Sequence, residues 1–262
     1  MRNKGGISIA EVIVIIFVLL FLFGVFYPYI TRDHEQSKHV ICLSHLKQWG
    51  LAYVMFCDDN NQKFIDISDY SNQSKWLTEL KPYNRFMDET LKCPYARTSR
   101  FNGEEYGGPN NSYKVTLDKN DSNNISIESS YGINSWVYNP ELDSNIIAIY
   151  PAEIFWKNNA YKNASKLPVI ADSIWAGSFP EPDGIAGKPP IENGEWSETE
   201  LGMKNFCIDR HKHAINISFM DGSVSKVGLK DLWKLKWHKN FDTEGPWTKP
   251  DAAWPEWMKT LK

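Results

Sequence analysis

The chain has 262 residues, of which 42% are hydrophobic and 14% aromatic, and its 29 basic and 32 acidic side chains leave a net charge of −3. That length is ample for a folded core, and without a basic patch there is no electrostatic footprint for nucleic acid. The sequence has no Gly-x-Ser-x-Gly, no His-Glu-x-x-His and no phosphate-binding glycine loop, so it gives no ground for expecting an enzyme.

Arg2 and Lys4 form a short basic leader that ends in Gly5-Gly6, and the 19 residues from Val12 to Ile30 carry no charge. As a helix that run is about 28 Å long, enough to cross the hydrocarbon core of a bilayer. One carboxylate, Glu11, stands at its start, where a charge near lipid is costly unless it is paired. A cleaved secretory signal carries its small residues beyond the apolar core, whereas here they precede it, and the far side reads Tyr27-Pro28-Tyr29-Ile30. Basic residues before the span place the leader in the cytoplasm and the body outside it.

A basic leader, a glycine, a hydrophobic residue and a glutamate five positions on closely resemble the type IV prepilin signal. The resemblance implies that prepilin peptidase cuts after Gly6 and methylates Ile7, and that Glu11 pairs with the N-terminal amine of a neighbouring subunit, which offsets its burial. Ile7 and Ser8 stand where that family usually has Phe and Thr. A plain single-pass anchor in the inner membrane, with an extracytoplasmic body, is the other reading of the same residues.

Past Ile30 the pattern stays helical and becomes amphipathic. Val40, Leu43, Leu46, Gly50, Val54 and Cys57 recur at steps of three and four and predict a buried stripe. Asp58-Asp59-Asn60-Asn61 breaks it. The expectation is one helix from about Ile7 to Cys57, with Pro28 as a candidate kink. On such a helix Cys42 and Cys57 lie about 22 Å apart, far beyond the roughly 7 Å that a disulfide spans between Cα atoms.

Near the other end, Ile215, Ile217 and Phe219 alternate with Asn216, Ser218 and Met220 and predict a half-buried strand. Asp221-Gly222 suits a two-residue type I′ turn, with Ser223 to Val227 returning and Phe219 opposite Val224. His211 stands ten residues before Asp221, giving His-x9-Asp-Gly. This resembles the C-terminal signature of the bacterial prepilin-type "processing-associated H-x9-DG" family. Further segments are similar to that family in the same order: Cys42 to Ala52 with Asp58 to Asn61, Trp76 to Tyr83, Leu91-Lys92-Cys93-Pro94, Ser130 to Asn134, and Lys166 to Asp172.

The resemblance implies an α+β, type IV pilin-like fold in which a long N-terminal helix packs on an antiparallel sheet. It divides the chain into a leader (1–6), a transmembrane and assembly helix (7–30), its amphipathic continuation (31–61) and an extracytoplasmic domain (62–262) with a hairpin (213–228) and a Trp-rich tail (229–262). The implied function is that of a pilin-like or pseudopilin subunit of a type II secretion or type IV pilus-like system. Its partners are prepilin peptidase, other pilin-like subunits and the inner membrane.

His211, Asp221, Gly222 and Asp172 are expected to serve architecture, closing the hairpin and bonding a neighbouring loop. A cation held by His211, Asp221 and Asp172 is the sharper alternative, and the expectation is no metal and no cofactor. Free thiols are expected, with a bridge from Cys93 to Cys42 or Cys57 as the alternative. Of 11 tryptophans, Trp233, Trp237, Trp247, Trp254 and Trp257 crowd the tail. Packing over the sheet is the expected role, and Trp247, Trp254 and Trp257 are the candidates for a surface that binds polysaccharide or a partner.

Overall fold

The structure is a computed structural model. It describes residues 9–261 except 70–71, 86, 97–105, 117–125, 142–143, 159–160 and 197–201, with side chains at 26, 28–35, 145 and 148 also left out. Gly6 and Ile7, the expected cleavage site, lie outside the described residues. The chain divides into two compact units, Met1–Val40 and Ile41–Lys262.

Helix α1 is assigned without a break from Ile9 to Asp59, through Pro28, with Glu11 in its first turn. Every side chain from Ile9 to Val25 is exposed. Among the described residues one stretch, Gln36–Asp59, is long and apolar enough to cross a membrane, and the apolar run Ile9–Val25 is shorter. Packing explains the apolar character of Gln36–Asp59, since 44% of its most apolar stretch is buried within the protein.

The larger unit is mixed α/β. After α1 come β1 (Asp66–Ile67), α2 (Lys75–Glu79), α3 (Met87–Thr90), β2 (Tyr113–Thr116), β3 (Ser126–Ser129), β4 (Tyr131–Asn134), β5 (Asn139–Pro140), α4 (Asn145–Ile149), β6 (Pro168–Asp172) and β7 (Gly177–Ser178). The chain continues through α5 (Gly184–Gly187), β8 (Ala214–Phe219), β9 (Val224–Gly228) and α6 (Glu256–Lys259). The main sheet runs β7-β4-β6-β8-β9. Its pairings are antiparallel except β4 with β7. The pairs β1-β5 and β2-β3 form separate ribbons.

The buried stripe of α1 is rotated from the expected one. Cys42, Leu46, Trp49, Tyr53, Phe56 and Cys57 are buried, while Val40 is 62% exposed and Leu43 and Val54 are only partly covered. The aromatic rings decide the difference, because Trp49, Tyr53 and Phe56 offer far more apolar area than the valines. Trp49 and Tyr53 also place their polar tips, the indole N–H on Thr90 O and the phenol on Val137 O.

Strand β8 is buried at all six positions, not at alternate ones. It is flanked by β6 and β9, and α1 covers one of its faces: Gly50 lies against Ser218 so closely that a Cβ there would fall 2.1 Å from the serine Oγ. The polar half of the alternation, Asn216 and Ser218, therefore faces the helix, and period two turns Ile215, Ile217 and Phe219 to the opposite side. Leu229, Leu232, Trp233 and Trp237 of the C-terminal segment belong to the same core.

The hairpin forms, with a different turn. Ser218, not Phe219, pairs with Val224. Phe219 N–H donates to Ser223 O, Gly222 N–H donates to Phe219 O, and only Gly222 has a positive φ, 73°. This is a three-residue loop with glycine in the left-handed position, so Asp221 does not need the positive φ of a type I′ pair. Asp221 instead accepts from the backbone N–H and the hydroxyl of Ser223 at 2.9 and 2.6 Å. Two successive positive-φ residues do occur, at Lys212 (54°) and His213 (66°), in a tight turn where His211 N–H donates to Ala214 O.

Candidate functional site

Four side chains expected on separate grounds converge in the larger unit. Cys42 comes from α1, Cys93 from the Cys-Pro loop after α3, Asp172 from the end of β6, and His211 from the turn before β8. Their ligand-type atoms all lie within 4.8 Å of one another, and all four residues are buried.

Local structure aims each one inward. Cys93 N–H donates to Ser130 Oγ at 2.7 Å, which pins the loop to the link between β3 and β4. The left-handed pair Lys212-His213 reverses the chain so that His211 enters the protein while His213 stays outside. There Asp209 holds His213 through its backbone N–H (2.6 Å) and ring Nδ1 (2.9 Å). Asp172 accepts from the backbone N–H of Asn216 on β8 at 2.8 Å, and lies 3.1 Å from His211 Nε2 and 3.1 Å from a guanidinium nitrogen of Arg210.

Arg210 is the member that the sequence reading missed. Its guanidinium has no exposed area, and besides Asp172 it donates to the carbonyls of Gly108, Pro109, Ser130 and Ser173 at 2.5–3.1 Å. Multiple carbonyl dipoles plus one carboxylate are what a buried guanidinium needs. The available signal was its place next to His211, since arginine is rarely buried without a partner.

Charges in the cluster lean on one another. Burial alone favours the neutral form of Asp172, but His211, Arg210 and the Asn216 N–H outweigh it and hold the carboxyl below its usual range. Burial likewise opposes a charged His211, yet the Asp172 carboxylate and then Cys93 raise the imidazole to about 9. For Cys93, burial is overcome by hydrogen bonds from Cys42 and His211 and by the Arg210 charge, bringing the thiol to about 6. Cys42 moves the other way, pushed up by burial and then by its bond to Cys93.

A cysteine sulfur 3.4 Å from an imidazole nitrogen is the pairing of a cysteine nucleophile. Cys93 and His211 are only 1% and 3% exposed, however, and a substrate needs access to the sulfur. The site is a closed one.

Of the three residues weighed as the alternative cation set, His211 and Asp172 meet, whereas Asp221 sits on the exposed hairpin loop and bonds within it. Gly222 O accepts from Lys47 Nζ of α1 at 2.6 Å, tying that loop to the helix. None of the four cysteines is bridged; Cys93 lies with Cys42, Cys57 is outside the cluster, and Cys207 Sγ lies 3.8 Å from Met258 Sδ.

In the tail, Trp233 and Trp237 are fully buried, and Trp247, Trp254 and Trp257 are partly buried against the core. Trp247 and Trp254, with centroids 5.5 Å apart, line a cleft of about 690 Å³ together with Lys230, Lys234, Lys249 and Lys259. Trp257 is not among its lining residues; its indole N–H donates to Pro190 O at 2.9 Å. Comparisons with protein-family models, with curated proteins and with solved structures find no match.

Proposed function

We propose that the chain is a pilin-like or pseudopilin subunit, processed after Gly6 by prepilin peptidase and assembled through its N-terminal helix in a type II secretion or type IV pilus-like system of the inner membrane. The observation that carries this reading is Glu11, an acidic residue in the first turn of an apolar helix whose side chains from Ile9 to Val25 are exposed. An exposed apolar helix face asks for lipid or for neighbouring helices, and a carboxylate near lipid is costly unless a cation pairs with it. The amine released at Ile7 by cleavage supplies one on an adjacent subunit. A helix continuing into a mixed α/β body with an antiparallel-rich sheet is compatible with the pilin-like architecture.

The decisive variant is Glu11→Ala. The proposal predicts that it is still cleaved but no longer co-purifies with other pilin-like subunits; unchanged co-purification opposes it. The closed character of the Cys42, Cys93, Asp172 and His211 cluster favours a structural body over an enzyme.

The lysine- and tryptophan-lined cleft in the tail favours a second reading, a membrane-anchored module for acidic polysaccharide. Indole faces stack on sugar rings and ammonium groups pair with uronate or sulfate. Retardation of the wild-type protein in gels containing an acidic polysaccharide, lost in Trp247→Ala with unchanged melting, supports it; equal mobility with and without the polysaccharide rejects it.

A further inference from the structure

The geometry points to a structural zinc ion held by Cys42, Cys93, Asp172 and His211. Tetrahedral zinc, with sulfur at about 2.3 Å and nitrogen or oxygen at about 2.0–2.1 Å, sets separations between ligand atoms of about 3.3–3.8 Å. In the structure Cys93 Sγ lies 3.4 Å from His211 Nε2, His211 Nε2 lies 3.1 Å from Asp172 Oδ2, and Cys42 Sγ lies 3.8 and 3.9 Å from the two Asp172 oxygens. These four values, which cover three of the six ligand pairs, fall in that range or within about 0.2 Å of it, and the whole set lies within 4.8 Å.

The donor set selects the ion. Two sulfurs exclude the hard cations calcium and magnesium, while two thiolates, an imidazole and a carboxylate suit a borderline-soft, redox-inert ion with four protein ligands and no open position. Charge agrees with this choice. Two thiolates and a carboxylate carry three negative charges, and a zinc ion and the Arg210 guanidinium carry three positive ones, so the buried assembly is neutral. Loading the site releases the protons that the thiols and the imidazole hold.

The surrounding groups have the form of an outer shell that orients ligands. Tyr131 Oη donates to Cys42 Sγ at 3.3 Å, Arg210 and the Asn216 N–H hold the carboxylate of Asp172, and the ring of Tyr95 packs edge-on against His211 with centroids 4.8 Å apart. A Cys42–Cys93 disulfide would use only two of the four groups. Bound zinc uses all four, and it clamps α1, the Cys-Pro loop, β6 and the turn before β8 at one point. The inference does not depend on filament assembly.

The test uses the full chain, purified in detergent with reductant and analysed for metals by mass spectrometry. One zinc ion per chain is expected in the wild type and in Cys57→Ser and Cys207→Ser, with loss in Cys93→Ser and His211→Gln. Because the last two variants can fail to fold, the wild type is also stripped and reloaded with cobalt(II), which must give tetrahedral ligand-field bands with sulfur-to-cobalt charge transfer. Three results overturn the inference: reduced wild type with neither stoichiometric zinc nor that cobalt spectrum, iron in place of zinc, or a Cys42–Cys93 disulfide as the form isolated without reductant.

Discussion

Replacing Asp172 by asparagine keeps the shape of the side chain and removes its charge, and the structure gives the consequence a size. Both Asp172 and Arg210 have side chains with no exposed area and sit 3.1 Å apart. Leaving one member of a buried ion pair without the other costs about 3–5 kcal/mol. Arg210 retains its four carbonyl acceptors at 2.5–3.1 Å, so the lower end, about 3 kcal/mol, is expected. For a folded unit of this size that corresponds to a fall in melting temperature of about 6–12 °C. Tryptophan fluorescence follows the transition, since Trp49, Trp76, Trp136, Trp233 and Trp237 are fully buried. The measurement is made with chelator and reductant present, so that metal binding does not enter. In the double variant with Arg210→Met the loss should be smaller than the sum of the two single losses by at least about 1 kcal/mol. An Asp172→Asn protein that melts within about 1 °C of wild type would refute the buried pair as a stabilising centre.

Three further outcomes follow from the packing. Gly50→Ala puts a Cβ 2.1 Å from Ser218 Oγ and 3.4 Å from Ser218 Cβ; the overpacking costs about 1–3 kcal/mol, offset in part by about 1 kcal/mol of helix propensity. Adding Ser218→Ala should recover most of the melting temperature, and a single variant that melts above wild type contradicts the close helix-to-strand approach. The Cys57 thiol is pushed up to about 12 by burial and then by the Asp58 charge, so its alkylation at pH 8 should run about a thousandfold slower in the folded protein than in urea; equal rates rule this out. Trp254 packs edge-on against Trp233 at 5.3 Å, with Lys230 Nζ 5.6 Å above its ring, and Trp254→Ala should cost about 1–3 kcal/mol in thermal melting, whereas unchanged melting assigns the ring to the surface.

The long helix and the strand pair near the C-terminus were legible because hydrophobic periodicity over many residues is a strong local signal. Finer features depend on partners that periodicity does not contain. The stripe drawn through Val40 and Val54 missed Trp49 and Tyr53 because ring size and polar tips, not spacing alone, choose the buried face. Asp221-Gly222 marked a turn correctly, yet the loop length was set by the pairing of Ser218 with Val224. Conversely, nothing in the letters Lys212-His213 advertises a left-handed pair; it forms with Asp209 holding His213 at both its backbone N–H and its ring.

At the site, His211 and Asp172 were recognised from a distant motif, and Cys42 and Cys93 from redox reasoning. The sequence offered no reason to join the two pairs, because the four residues are far apart along the chain and meet only where α1 lies over β6 and β8. Asp221, adjacent to the motif glycine, was the natural third ligand by sequence, but it lies on the loop beyond the strand end. Arg210 escaped notice because a lone arginine usually reads as a solvated charge.

The central claim is that the chain is processed as a prepilin, and intact-mass analysis with N-terminal sequencing of the protein from membrane fractions tests it most directly. The account predicts a chain that begins at N-methylated Ile7. A chain that still begins at Met1, or one cut beyond the apolar run, contradicts it.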